Sequence, residues 1–182
     1  MHRRCKVKRV NAVFLDRDGV INKKLRKDYV KDWSEFKFLP GARKGVQLLK
    51  DSGFITVVVT NQRCIAKGVA TLDKLTEIHT RMISEIVRSG GSIDALYLCP
   101  HDIDEGCGCR KPAPGMFTKA FRDFASRGIK IDAEGSYFIG DEDKDMLAGK
   151  AAGLRTIKIG EGHPMADRQA RSLLQAARLI CT

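Results

Sequence analysis

Val13-Phe14-Leu15-Asp16-Arg17-Asp18-Gly19-Val20-Ile21-Asn22 is a short apolar run that ends in two aspartates, one residue apart, followed at once by glycine. A run that short, bounded by Gly, reads as a buried strand, which puts the Asp pair on the loop at its carboxyl end. In open α/β sheets that edge is where ligands bind. Two carboxylates so close repel each other unless a cation or a shared proton compensates. A hard, oxygen-seeking cation such as Mg²⁺ meets that need. Taken alone, the same residues also fit a solvated turn; three later segments decide between the two.

Outward from this stretch the chain alternates. Apolar strand-like runs at 12–15, 55–59, 95–98, 136–139 and 156–159 are separated by helix-like segments at 41–52, 72–88, 115–127, 143–152 and 166–179. The periodicity of 72–88 is carried by Leu72, Leu75, Ile78, Met82, Ile83 and Ile86. Such alternation with fully apolar strands predicts an α/β fold, a doubly wound parallel five-stranded sheet of Rossmann-like type. No repeat, low-complexity tract or linker divides it, so residues 1–182 are expected to be one domain, with a basic tail at 1–9. Residues 23–38 interrupt the alternation. Tyr29, Trp33, Phe36 and Phe38 are interleaved there with charges, as in a loop packed over the sheet edge or a flap that closes on a site.

At 182 residues and 43% hydrophobic the chain can bury an ordinary core. No apolar stretch approaches the roughly 18 residues of a membrane span, and the start, Met1 to Arg9, lacks the apolar segment of a secretory signal. A cytoplasmic protein without a membrane partner is expected. The net charge of +11 favours anionic partners. Arg3, Arg4, Lys6, Lys8 and Arg9 read as a solvated tail, whereas Lys23, Lys24, Arg26, Lys27 and Lys31 follow the Asp pair and suit attraction of a phosphate.

Three further segments carry chemistry. Thr60-Asn61-Gln62, at the end of the second strand, offers a hydroxyl and two amides able to donate to phosphate oxygens, though it is also ordinary turn chemistry. Cys99, His101, Cys107 and Cys109 lie in a polar Gly/Asp-rich loop. Three thiols and one imidazole complete a tetrahedral Zn²⁺ shell with no open position, so the 99–112 loop reads as a structural zinc loop and His101 as a ligand. Arg110 and Lys111 follow, stiffened by the metal and by Pro112 and Pro114, and suit a fork-like and a point-charge contact to phosphate. The fourth strand ends in Ile139-Gly140-Asp141-Glu142-Asp143-Lys144-Asp145. Asp141, nearest the strand tip, is the candidate to complete the Mg²⁺ shell; Asp143 or Asp145 would favour the next helix start.

Together these segments resemble the signature of the haloacid dehalogenase (HAD) phosphatase superfamily. The combination of Asp16-Arg17-Asp18-Gly19, Thr60-Asn61-Gln62, the Cys/His loop and Cys109-Arg110-Lys111-Pro112 is similar to two of its branches, the D-glycero-D-manno-heptose-1,7-bisphosphate 7-phosphatases and the histidinol-phosphate phosphatases. The resemblance spans about residues 10 to 160. It implies no large cap domain, Asp16 as the nucleophile that forms an aspartyl-phosphate, and Asp18 as acid and then base. It implies Mg²⁺ on Asp16, Asp141 and the main-chain carbonyl of Asp18, with Thr60, Asn61, Gln62 and Lys111 around the reacting phosphate. Arg110 would hold the far end of the substrate, and Tyr29 on the flap would bind it. The expected reaction is removal of the C7 phosphate of heptose 1,7-bisphosphate on the way to a nucleotide-activated heptose, by a monomer.

Histidinol-phosphate hydrolysis is the alternative, favoured by the short spacing from His101 to Cys107. A polynucleotide 3′-phosphatase and a non-enzymatic zinc nucleic-acid module are weaker readings: no aromatic-rich strand offers base stacking, and the loop lacks the helix that such fingers place in the groove. Three residues at two places depart from the heptose pattern. Arg63-Cys64 stands where small residues are usual, strained should Cys64 be left-handed, and Glu142 stands where a Lys is common.

Overall fold

The computed structural model describes residues 8–182; residues 1–7, most of the basic tail, lie outside the described residues. In chain order the elements are β1 (Lys8–Val10), β2 (Ala12–Leu15), α1 (Ala42–Asp51), β3 (Ile55–Asn61), α2 (Leu72–Arg88), β4 (Ala95–Cys99), α3 (Gly115–Ser126), β5 (Ile129–Ile131), β6 (Tyr137–Gly140), α4 (Asp143–Ala151), β7 (Arg155–Ile159), β8 (Arg168–Ala170) and α5 (Leu173–Cys181). The last residues of the expected tail are therefore a strand: Lys8 to Val10 pair in parallel with Ile129 to Ile131 in a small separate sheet.

The main sheet is wholly parallel, with order β4-β3-β2-β6-β7-β8. It contains all five expected strands and a sixth, β8, at the edge. That sixth strand lies where the sequence suggests the start of the last helix. Ala170, Leu173 and Ala177 are all buried and fall at helical spacing, but the chain stays extended along β7 through Ala170. The helix begins after Ser172, whose hydroxyl caps it by accepting from the Gln175 amide.

From β2 the chain steps outward to β3 and β4, then returns to the other side of β2 for β6, β7 and β8. The order thus reverses between β2 and β6, and the loops after them part to leave a crevice at the carboxyl edge. β2 is buried on both faces. Val13 and Leu15 pack with α1, α2 and α5, whereas Ala12 and Phe14 pack with Phe117 of α3 and Ala148 of α4. That two-sided burial is why the strand is continuously apolar. Burying Phe14, fully enclosed beside Phe117 at 5.2 Å, contributes on the order of 3 kcal/mol.

Residues 23–38 divide into a pinned, packed part and a surface part. Asn22 bridges Phe38, and the Lys23 amide donates to the Lys37 carbonyl at 2.8 Å, pinning the root. Val30 and Phe36 are buried in the core, with Trp33 stacked on Phe36 at 5.0 Å. The segment from Lys24 to Tyr29 stays at the surface and lines the crevice.

Candidate active site

Asp16 follows the last residue of β2, its amide donating to the Ile139 carbonyl at 2.9 Å, so the sheet itself sets its place. The Lys111 ammonium lies 2.9 Å from Asp16 Oδ1 and 2.8 Å from Asp145 Oδ1, and it donates to the Val59 carbonyl at 3.1 Å. Lys111 is fully buried, and the two carboxylates outweigh the desolvation that would favour its neutral form. Asn61, at the tip of β3, grips the Lys111 main chain in both directions: its Nδ2 donates to the carbonyl and its Oδ1 accepts from the amide, each at 3.1 Å.

Asp16, Asp141 and Asp145 bring carboxylate oxygens within 4.8 Å of one another. Burial, only partly offset by Lys111, holds the Asp16 carboxyl well above the usual carboxylate range, and Asp145, Asp141 and Asp18 push it the same way. Burial also raises Asp141, whose Oδ1 is enclosed without a hydrogen-bond partner among the described residues. A hard divalent cation fits this donor set, since it would relieve the repulsion and occupy the unpartnered oxygen. Gly19 makes room: at φ +86° it lies so close to Asp141 that a side chain there would overlap the carboxylate.

Asp18 is held differently. Arg17 Nη2 donates to both of its oxygens at 2.9 and 2.8 Å, Asn22 Nδ2 donates to Oδ1 at 2.9 Å, and Gln62 Nε2 donates to Oδ2 at 3.0 Å. Despite burial, these donors lower its pKa, the Arg17 charge foremost among them. Its carboxylate is thus apart from the Asp16–Asp141–Asp145 cluster. Gln62 donates also to Thr60 Oγ1 at 2.8 Å and is enclosed; it braces Asp18 and Thr60 and does not line the crevice. Thr60, Asn61, Arg110 and Tyr29 do line it.

The crevice has a volume of about 230 Å³. Besides the buried Arg17, four basic side chains stand around it: Lys24, Arg63, Arg110 and Lys144. Glu142 is ion-paired with Lys24 and Lys144, so the acidic departure organises two ammonium groups at the rim. Arg63 is ion-paired with Asp102 of the Cys/His loop, and Arg110 Nη1 donates to the His101 carbonyl at 3.1 Å. Cys64 is not left-handed; Lys27 is the non-glycine residue with positive φ among the described residues.

Beside the crevice Cys99, His101, Cys107 and Cys109 converge as the spacing suggests. Cys99 Sγ lies 3.5 Å from His101 Nδ1 and 3.6 Å from Cys107 Sγ, and Cys109 Sγ lies 3.2 Å from His101 Nδ1 and 3.5 Å from Cys107 Sγ. A tetrahedron with Zn–S arms near 2.3 Å has edges of about 3.8 Å, so these side chains are the right size and chemistry for one zinc ion. Cys99 ends β4, and the amide of Gly115, which opens α3, donates to the Gly108 carbonyl at 3.0 Å. The loop therefore ties two elements together and delivers Arg110 and Lys111 to the sheet edge.

Sequence reasoning gave Asp145 a capping role only and passed over three residues, Arg17, Asn22 and His79. Asp145 does cap α4, its Oδ2 accepting from the Glu142 amide at 3.0 Å, but its other oxygen faces Lys111, a long-range contact between a helix start and a loop that no local pattern reveals. Arg17 and Asn22 hold Asp18. His79 is a polar residue on the buried stripe of α2, beside Leu75, Ile78 and Met82, and that placement is the signal that was available.

The HAD-hydrolase-like family model matches residues 108–180. A D-glycero-beta-D-manno-heptose-1,7-bisphosphate 7-phosphatase from Pasteurella multocida is 34% identical over 175 residues, covering 91% of each chain. A D-glycero-alpha-D-manno-heptose-1,7-bisphosphate 7-phosphatase from Mycobacterium tuberculosis is 34% identical over 154 residues, covering 82% of this chain and 79% of the relative. Among solved structures, the D,D-heptose 1,7-bisphosphate phosphatase from B. bronchiseptica, complexed with magnesium and phosphate, superposes with a TM-score of 0.83 at 30% identity and covers 95% of this chain and 97% of its own.

Proposed function

The chain belongs to the D-glycero-D-manno-heptose-1,7-bisphosphate 7-phosphatase family of HAD-type hydrolases, and on that premise we propose that it removes the C7 phosphate of a heptose 1,7-bisphosphate. The observation that carries this reading is the buried Asp16–Lys111–Asp145 contact, whose Asp16 lines a crevice rimmed by four basic side chains. Relatives named for either anomer match at 34% identity, so the proposal is the bisphosphate and not one anomer.

An Asp16 carboxylate oxygen attacks phosphorus, the bond from phosphorus to the C7 oxygen breaks, and Asp18 delivers a proton to that oxygen. Water then attacks the aspartyl-phosphate, Asp18 takes its proton, and the Asp16 carboxylate returns as inorganic phosphate leaves. A proton on Asp18 displaces one of the four hydrogen bonds it accepts from its three donors; Gln62, which keeps Thr60 as a partner, is the donor that turns away. Lys111, Thr60 and Asn61 face the phosphoryl oxygens, where transition-state charge is spread. Arg110 reaches the phosphate that is not cleaved, with Tyr29 over the sugar. Asp16, Asp141 and the main-chain carbonyl of Asp18 would hold Mg²⁺, which offsets negative charge between nucleophile and phosphate when bound. Zn²⁺ on the Cys99, His101, Cys107 and Cys109 set is structural.

No helix among the described residues is long and apolar enough to cross a membrane; the proposal includes a cytoplasmic monomer without a nucleic-acid partner. The test is phosphate release with Mg²⁺ from both heptose bisphosphate anomers, histidinol phosphate and a 3′-phosphorylated oligonucleotide, with Asp16→Asn as the blank. A heptose bisphosphate leading kcat/KM by orders of magnitude is the expected result. Histidinol phosphate in the lead would overturn the substrate assignment, and residual turnover in the blank would overturn Asp16 as nucleophile.

A further inference from the structure

His79 is a buried titratable residue that the proposed reaction does not use. It sits on α2 with its Nε2 3.1 Å from Arg17 Nη1. A guanidinium can only donate, so Nε2 accepts, the ring proton is on Nδ1 and the imidazole is neutral. Arg17 and His79 are 1% and 6% exposed. The other end of the same guanidinium, Nη2, bridges both oxygens of Asp18.

Arg17 is therefore held at two points, and the choice of an uncharged acceptor behind it has a consequence. A carboxylate at position 79 would share the positive charge with Asp18, whereas an imidazole fixes the guanidinium plane and leaves the charge to Asp18. Without that acceptor, Nη1 would be a buried donor with no protein partner, and the guanidinium would be free to turn. Arg17 Nε has no hydrogen-bond partner among the described residues, so nothing else on that side fixes the plane.

We propose that His79 is a positioning residue for Asp18: acting through Arg17, it orients the carboxylate that exchanges a proton with the leaving oxygen. This rests on the acid role given to Asp18 above. A proton donor matters most when the leaving group is a poor one, such as a sugar alkoxide, and least for p-nitrophenolate, which departs unaided. The kcat/KM ratio between the two kinds of substrate therefore reads the placement of Asp18, whereas a general loosening of the fold lowers both together.

The experiment compares kcat/KM for a heptose phosphate and for p-nitrophenyl phosphate in the wild type, His79→Leu, His79→Gln and Asp18→Asn, all in Mg²⁺. His79→Leu is expected to lower the sugar-to-nitrophenyl ratio about ten-fold or more, in the same direction as Asp18→Asn. His79→Gln, whose Oε1 can accept from Arg17, is expected to restore most of it. If Asp18→Asn lowers the ratio but His79→Leu lowers both substrates equally, the positioning role is wrong and the acid assignment stands. If Asp18→Asn leaves the ratio unchanged, the acid assignment fails and takes this inference with it.

Discussion

Gly19 and Asp141, more than a hundred residues apart, lie so close that any side chain at position 19 would occupy the space of the Asp141 carboxylate. Gly19 also has φ +86°. Glycine is thus required twice, by the backbone and by the space.

Gly19→Ala forces Asp141 to turn aside and places Ala in a left-handed conformation that costs about 1 kcal/mol. The expected outcome is a modest fall in melting temperature and a much larger rise in the Mg²⁺ concentration needed for half-maximal phosphate release. A Mg²⁺ titration of activity, run beside a thermal melt in chelator, separates the two; an unchanged Mg²⁺ requirement would refute Asp141 as a ligand.

Asp145→Asn removes one of the two carboxylates facing the buried Lys111. Breaking a buried ion pair from one side costs about 3–5 kcal/mol, because the remaining charge stays enclosed. The start of α4 keeps its acceptor through the amide oxygen. Urea unfolding is expected to show a loss of that size, together with at least a ten-fold fall in kcat as Lys111 shifts. Wild-type stability would show that Lys111 does not depend on Asp145.

Cys107→Ala deletes one corner of the Cys/His cluster. The variant is expected to lose its bound zinc, measured by elemental analysis, and to melt at a lower temperature. Activity falls as well, since Arg110 and Lys111 follow directly from the loop. Full zinc content with unaltered melting would rule out the tetrahedral site.

The buried His79 also bears on stability as pH changes. Burial first, and the Arg17 charge second, lower its pKa from the ordinary 6.5 to about 3, with Asp18 opposing. The folded chain therefore refuses a proton that the unfolded chain accepts. This contribution is fully present above about pH 6.5 and is lost as pH falls toward about 3, at up to about 1.4 kcal/mol per pH unit. Between about pH 7.5 and 5 the wild type should lose about 2 kcal/mol more than His79→Gln in urea unfolding. Equal losses would show that His79 titrates normally.

Much of this protein is written in local pattern. The strands flanking the site are uninterrupted runs of buried residues, such as Val57, Val58 and Val59, because both faces of a parallel sheet are covered. The Cys/His loop is legible because its three cysteines and one histidine fall within eleven residues. α2 runs from Leu72 to Arg88 as its period suggests, although Leu72 itself is exposed at the first turn.

What escaped the pattern is short or long-range. β1, β5 and β8 are three-residue strands whose pairing depends on what lies beside them. Ala170 can be buried equally well from a helix or from an edge strand, and the neighbouring β7 decides.

The sequence by itself determined which chemistry-bearing residues stand at strand tips, since apolar runs ending in Asp16, Thr60 and Asp141 need only local burial to be placed there. Only the tertiary structure decided their partners. Lys111 is shared between Asp16 and Asp145, Asp18 is held by Arg17, Asn22 and Gln62, and Arg17 leans on His79. Those choices are made by the electrostatics of a dry interior, where each buried charge must find a donor or acceptor from whatever segment the packed sheet and helices bring within reach.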